Sequence, residues 1–249
     1  MGITERKQRE KEQRAEQIIS AAENLFIDNG LAKTTMDDIA KECELSKATL
    51  YLYYKSKEEL VIEIVKRALD NLYEHLSAAA AVNLSGSDRL RVVGRSYLEF
   101  YREHPWYFKM INGMGEFGTH QTEGDPHLDM KNNILSDIAS RNYQIWDVCV
   151  ECVKKGIDSG EFKPTVDPVA TAVGLYASSN GVILMLDHIK QHERYFQDKP
   201  NPFPIPVGKI DDIYIKIWEY TIDSIVTTPE NPEQKRAMWQ TSTDERSVS

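Results

Sequence analysis

Lys47, Thr49, Tyr51, Tyr53, Lys55 and Lys57 lie close together near the amino end, interleaving ammonium groups with hydroxyls. Groups of this kind hold phosphate oxygens, so the chemistry to expect here is binding rather than bond making. Thr34, Thr35 and Ser46 add hydroxyls at two places that also read as helix starts, where unpaired amides and the positive dipole end attract anions. Three other clusters are weaker. Gly113-Met114-Gly115-Glu116-Phe117-Gly118 fits G-x-G-x-x-G, but no βαβ pattern surrounds it and Thr119–Pro126 reads as loop, so a flexible connection is expected. Cys149 and Cys152 form C-x-x-C in apolar surroundings, which favours packed thiols over a redox or metal pair. His188 and His192 stand one helical turn apart without the H-E-x-x-H pattern of a catalytic zinc; a solvated helix end is expected, and no bound metal or cofactor.

The elements that position the first cluster are marked by their caps. Thr35 with Asp38 makes a capping-box pattern, Ser46 opens a second helix, and Ser56 with Glu59 opens a third. Ile39, Ala40, Cys43, Leu45 and Leu50 supply a small core, with Ala40 short enough to let two helices cross closely. Leu50, and Tyr54 four residues on, share the inner face of the helix Lys47–Tyr54, leaving Lys47, Ala48, Thr49, Tyr51 and Tyr53 outward. This is a helix-turn-helix pattern, whose second helix can enter the DNA major groove. The competing reading is an ordinary helical hairpin with a solvated polar face.

These residues resemble the tetracycline-repressor-like (TetR) family of transcriptional regulators. The family runs T-x-x-x-I-A, A-G-V-S, a small residue, L-Y-x-H/Y-F and S/N-K-E-x-L. The chain has Thr35, Ile39, Ala40, then Cys43-Glu44-Leu45-Ser46, Ala48, Leu50-Tyr51, Tyr53-Tyr54 and Ser56-Lys57-Glu58-Glu59-Leu60. Ile18, Ile19, Ala21, Ala22, Leu25 and Phe26, leading to Asn29-Gly30, fit the preceding helix. Glu44 replaces the usual turn glycine, at a cost of roughly 1 kcal/mol for positive φ, and Ala48 adds a methyl where glycine is common. The resemblance implies a double-stranded operator held through Thr34, Thr35, Ser46, Lys47, Ala48, Thr49, Tyr51, Tyr53 and Lys57. It also implies a small-molecule inducer bound in the body, and a homodimer paired through its last two helices. The two recognition helices would then reach successive major grooves about 34–36 Å apart on a palindromic site.

Charge divides unevenly along the chain. Residues 1–57 balance ten Lys/Arg against ten Asp/Glu, so residues 58–249 carry the entire net charge of −9. An acidic body is repelled by DNA and keeps the molecule docked by its head. Thr4–Glu16 interleave cations with Glu5, Glu10, Glu12 and Glu16; a basic arm reaching along the DNA is one reading, but the carboxylates dilute it and a solvated extension of the first helix is expected. Charge from the first residues argues against a secretory leader, and three cysteines in 249 residues fit a reducing cytoplasm.

Beyond Lys57 the periodicity is helical and no alternating strand pattern appears, so an all-α chain is expected. The expected division is a DNA-binding head at 1–57, a helical effector-binding and dimerisation body at 58–228, and a polar tail at 229–249. Pro200, Pro202, Pro204 and Pro206 stiffen the link to the last helix. Val169–Leu186 contains no charge, the shortest length at which a membrane span is arguable, but Thr171, Ser178, Ser179 and Asn180 sit in its middle. Burial by the body and a second subunit is expected instead.

Aromatic side chains crowd the body, and most must be core. A cavity among these helices would be lined by Tyr97, Tyr101, Trp106, Met110, Tyr143, Trp146, Tyr176 and Asn180, a mostly apolar surface suited to a small hydrophobic ligand. The sequence therefore reads as a ligand-released repressor without catalytic residues. An all-α metal enzyme and a helical scaffold for protein partners are the rivals; metal analysis and a salt-dependent gel-shift separate them.

Overall fold

Thr35, Ser46 and Ser56 each start a helix in the computed structural model of the chain. Thr35 Oγ1 accepts from the Asp38 amide at 3.2 Å while Asp38 Oδ2 accepts from the Thr35 amide at 2.9 Å, a complete capping box. Ser46 Oγ accepts from the Thr49 amide at 3.1 Å, and Ser56 Oγ from the Glu59 amide at 3.3 Å. The structure describes residues 2–117, 128–195, 210–228 and 233. Among these the chain forms α1 (Ile3–Asn29), α2 (Met36–Glu42), α3 (Lys47–Tyr53), α4 (Lys57–Ala80), α5 (Gly86–Glu103), α6 (Pro105–Phe117), α7 (Leu128–Asp158), α8 (Pro168–Tyr195) and α9 (Ile210–Ile225). The all-α expectation holds. Among the described residues the one β pairing is an antiparallel bridge between Phe162 and Val226, which ties the α7–α8 loop to the end of α9.

The chain packs as two compact units, the first made of residues 1–71 and 103–141. Here α1 changes character along its length. Its first half is exposed, and from Ile18 onward it buries Ile18, Ile19, Ala22 and Phe26 at helical spacing. Its second half joins α2, whose buried Ile39 and Ala40 connect it to α3 through Leu50. The opening of α4 closes this core with Leu60, Val61, Ile64, Val65, Ala68 and Leu69. Arg67 clamps α4 to α1, its guanidinium lying 2.5 Å from Glu16 Oε2 and 2.9 Å from Glu23 Oε2.

The second unit comprises residues 72–102 and 142–249. Close approach is written into its glycines. A Cβ on Gly94 would stand 2.6 Å from the Trp218 ring, and one on Gly156 2.2 Å from the ring of Phe162, so α5 and α7 accept these aromatics only because no side chain intervenes. Arg91 is buried and pairs with Glu219 through Nε at 2.7 Å and Nη2 at 3.0 Å, with Asp88 at 2.9 Å from Nη1. A charge taken out of water needs such complete pairing.

One expectation changes. Gly113–Phe117 are not a flexible connection but the last turns of α6, while Gly118–Pro126 lie outside the described residues. The apolar part of α8, Pro168–Met185, is 28% buried within its own chain, so the expected enclosure would need the second subunit. Ala170, Val173, Gly174, Ala177, Gly181, Leu184 and Met185 form its outward stripe. The proline-rich link at 200–206 and the tail from Pro229, Glu233 apart, lie outside the described residues.

Candidate nucleic-acid interface

Leu50 is the buried residue of α3, so a seven-residue helix is anchored by one leucine and turns the rest of its surface outward. Ser46, Lys47 and Ala48 are exposed, and Thr49, Tyr51 and Tyr53 are half-buried. The turn before α3 requires Glu44 at φ 53, the left-handed conformation expected from its alignment with glycine. Leu45 closes the turn, its amide donating to the Ala40 carbonyl at 2.8 Å. Ser46 Oγ and Thr49 Oγ1 lie 2.7 Å apart, presenting two hydroxyls together at the helix start.

The cations are partly engaged. Lys47 Nζ sits 2.7 Å from Asp37 Oδ1 in the first turn of α2, and hydrogen bonding to Asp37 raises the lysine pKa, so Lys47 is charged at neutral pH. Both side chains remain more than half exposed, so water or phosphate can replace this pairing at little cost. Lys57 Nζ donates to the carbonyls of Leu31 at 2.8 Å and Thr34 at 3.1 Å, fastening the α1–α2 loop to α4. Thr34 departs from its expected role as a phosphate ligand. Its side chain is 2% exposed, and its hydroxyl lies 3.0 Å from the Gly30 carbonyl oxygen and 3.2 Å from that of Leu25. Thr35 is exposed, and its hydroxyl and amide hold the Asp38 carboxyl below its usual pKa. Tyr54 packs inward, and burial pushes its hydroxyl up to about 12.

One residue was missed. Leu52 is 74% exposed on the side of α3 opposite Leu50, an apolar group among polar neighbours. The helical period alone places it there, two residues from the buried leucine. On a helix inserted in a major groove, an exposed apolar side chain would suit a thymine methyl.

The second unit contains a cleft lined by Leu76, Val93, Tyr97, Ile145, Trp146, Cys149, Ala172, Tyr176, Ser179 and Trp218. Of the expected effector residues, Tyr97, Trp146 and Tyr176 lie on it. Asn180 stands behind them and accepts a hydrogen bond from the Tyr97 hydroxyl. Tyr143 is largely exposed and packs edge-on against Trp146, and Tyr101 is buried; neither lines the cleft. Trp106 and Met110 belong to α6 in the first unit and do not line it. Ser179 was also missed. Its oxygen accepts from Trp218 Nε1 at 2.9 Å and joins α8 to α9. The enclosed space is about 20 Å³, room for one water-sized group. Burial pushes the Cys149 thiol up to about 12 and the Cys152 thiol up to about 11, which keeps both protonated and unreactive. His188 is exposed on α8, and the side chain of His192 lies outside the described residues.

This geometry meets an independent comparison. The sequence profile of the "Bacterial regulatory proteins, tetR family" matches residues 18–64, from the first buried residues of α1 through the start of α4. The HTH-type transcriptional regulator YhgD of Bacillus subtilis is 31% identical over 178 residues, covering 70% of this chain and 84% of that protein. The chain belongs to the TetR family. Another relative, the HTH-type transcriptional repressor KstR2 of Mycolicibacterium smegmatis, is 25% identical over 62% of this chain and 70% of its own. The solved structure of the ketosteroid transcriptional regulator KstR2 of Mycobacterium tuberculosis superposes with a TM-score of 0.53 over 86% of this chain and 96% of that one, at 20% identity. A tetR-family regulatory protein from Rhodococcus RHA1 does so with a TM-score of 0.58 over 87% and 98%, at 18% identity. These two share its fold. As a TetR-family member the chain is a cytoplasmic, ligand-responsive DNA-binding regulator rather than an enzyme, and its C-terminal helices pair two chains.

Proposed function

We propose that this TetR-family regulator is a repressor, released from a palindromic operator when a small, largely apolar molecule enters the cleft of its second unit. The observation that carries the reading is the composition of that cleft. Its lining holds four aromatic rings and no Lys, Arg, Asp or Glu, so the buried part of a ligand is uncharged, with Tyr176, Ser179 and the Tyr97–Asn180 pair offering hydrogen bonds. A space of about 20 Å³ takes no molecule of several carbons as it stands, so binding must turn side chains outward. Trp146, 37% exposed at the rim, is the first to move. The M. smegmatis relative bears the name of a transcriptional repressor, which supports the direction of control.

On the DNA side, Thr35, Ser46, Lys47, Tyr51 and Tyr53 hold phosphates, while Lys47, Ala48, Thr49 and Leu52 lie nearest the bases. The head at 1–57 is the reading module and residues 58–228 sense and dimerise. Two copies pair through the outward stripe of α8 together with α9. Leu76, on the cleft wall, belongs to the same unbroken helix as Leu60 and Ile64 in the head core, so α4 carries the ligand's effect to α3.

A gel-shift over a salt series on DNA upstream of its own coding region tests the operator reading, and a thermal-shift screen of uncharged apolar compounds tests the ligand. Ligands that raise Tm and release the DNA are the expected result. Compounds that stabilise the protein while tightening the DNA complex would make it an activator or a corepressor-dependent regulator.

A further inference from the structure

The exposed first half of α1 gathers three of its five cations on one face. Lys7, Lys11 and Arg14, at spacings of four and three, fall within an arc of roughly 60° at 100° per residue. Glu5, Glu12 and Glu16 fall within an arc of roughly 40° on the far side of the helix, with Arg9 at its edge. Glu10 borders the basic stripe but is engaged by Arg6, whose Nε lies 2.8 Å away. Among the described residues Lys7, Lys11 and Arg14 form no ion pair, and all three are exposed.

The two faces point to different neighbours within the head. Glu16 reaches back to Arg67 of α4 at 2.5 Å. Arg14 lies on the side of Cys43, the last residue of α2 before the turn into α3; burial raises that thiol's pKa and the charge of Arg14 partly offsets it. A helix keeps its faces along its length, so Lys7 and Lys11 prolong the helix-turn-helix side of the head. From Ile3 to Gln17 the projection spans about 22 Å. An isolated helix this polar gains nothing from packing, so its basic stripe is not accounted for by the core.

We propose that the basic stripe Lys7–Lys11–Arg14 is a second phosphate-binding surface that lies along duplex DNA flanking the site read by α3. The partner is the backbone of duplex DNA, whatever its sequence. Charge complementarity and continuity with the helix-turn-helix face select DNA, and the stripe lacks the apolar residues a membrane surface would require. The acidic stripe facing away keeps the head neutral overall, so the added grip costs little in indiscriminate binding elsewhere on the protein. The inference rests on the DNA-binding reading, and its test separates the two.

The test uses the full chain and a 40-base-pair non-operator duplex, with affinity measured by fluorescence anisotropy over a salt series. The variants are Lys7→Gln/Lys11→Gln/Arg14→Gln and, as a control on the opposite face, Glu5→Gln/Glu12→Gln. If each cation holds one phosphate, the basic-stripe variant lowers the slope of log K against log salt by roughly five for a dimer carrying two arms. The control leaves the slope unchanged. Circular dichroism at the same salt confirms that both variants keep their helix. Equal slopes for the native chain and the basic-stripe variant, with both still bound, overturn the proposal while leaving DNA binding intact; a native chain that fails to bind the duplex at any salt overturns both. A slope that shifts by the same amount in opposite directions in the two variants also overturns it, because net charge rather than a contact surface would then be responsible.

Discussion

Asp37 Oδ1 stands 2.7 Å from Lys47 Nζ, so the carboxylate in the first turn of α2 holds the lysine that opens α3. If Lys47 holds a phosphate as proposed, Asp37 already occupies the place that phosphate would take. The pair is exposed, so exchange of carboxylate for phosphate costs little, yet each must give way for the other. Replacing Lys47 by Ala should weaken operator binding and reduce the salt slope by about one per protomer, with the dimer intact by light scattering. Asp37→Asn should do the opposite, tightening binding to any duplex and narrowing the margin between operator and random DNA. Unchanged affinity and sequence preference in Lys47→Ala would remove this lysine from the interface.

The outward stripe of α8 makes a separate prediction. A Cβ added at Gly174 or Gly181 meets nothing within 4 Å in its own chain, so substitution there costs the protomer little packing. Gly181→Arg places a long charged side chain where Ala177, Leu184 and Met185 would be covered by a second copy. The expected outcome is a folded monomer by light scattering that no longer binds a palindromic site tightly. A variant that stayed dimeric at micromolar concentration would move the interface off this face.

Caps made the head legible from the sequence. Thr35, Ser46 and Ser56 each announced a helix, and the hydrogen bonds at all three start where the residue types place them. Leu50 at the inner face of α3 and the positive φ at Glu44 were equally readable, because a helical period and a turn of fixed geometry leave few alternatives. Thr34 was not. Whether a hydroxyl at a helix start looks outward or back into the preceding loop depends on how α1 ends, and here it turns to the Gly30 carbonyl. The cleft was half legible for a related reason. Aromatic residues on α5, α7 and α8 could be nominated from composition, but only packing separates Tyr97 and Tyr176 on its wall from Tyr101 in the core and Tyr143 in solvent. Trp218 escaped notice because its place depends on Gly94, 124 positions away in sequence.

That glycine gives a stability test. In Gly94→Ala the new methyl would sit 2.6 Å from the Trp218 ring, whose Nε1–H is already committed to Ser179. A ring held by a hydrogen bond on one side cannot simply slide away, so overpacking of about 1–3 kcal/mol is expected. Tm should fall by roughly 2–12 °C, at about 2–4 °C per kcal/mol for a chain of this size. Adding Trp218→Phe should recover part of the loss, since the smaller ring frees the space, although the Ser179 bond is gone. No recovery would mean that the destabilisation arises elsewhere than at this contact.

Alkaline pH should loosen the second unit. Burial holds the Cys149 thiol at about 12 and Cys152 at about 11, against 9.0 for a thiol in water, and raises the Tyr97 and Tyr214 hydroxyls above their ordinary value of 10.0. In each case the unfolded chain loses its proton first as pH rises, and the folded chain keeps it. The unfolded state therefore binds fewer protons between the two pKa values, and stability falls with pH across that interval. The full contribution is present below pH 9 and is lost progressively from there through 11 and 12. Urea midpoints measured at pH 8, 9.5 and 11 should decline steadily, and Cys149→Ala/Cys152→Ala should flatten the first part of the decline, where only the thiols titrate. A native chain whose midpoint stayed constant from pH 8 to 11 would show that these groups reach solvent in the folded state, and the cleft beside Cys149 would then be open to water rather than closed around an apolar guest.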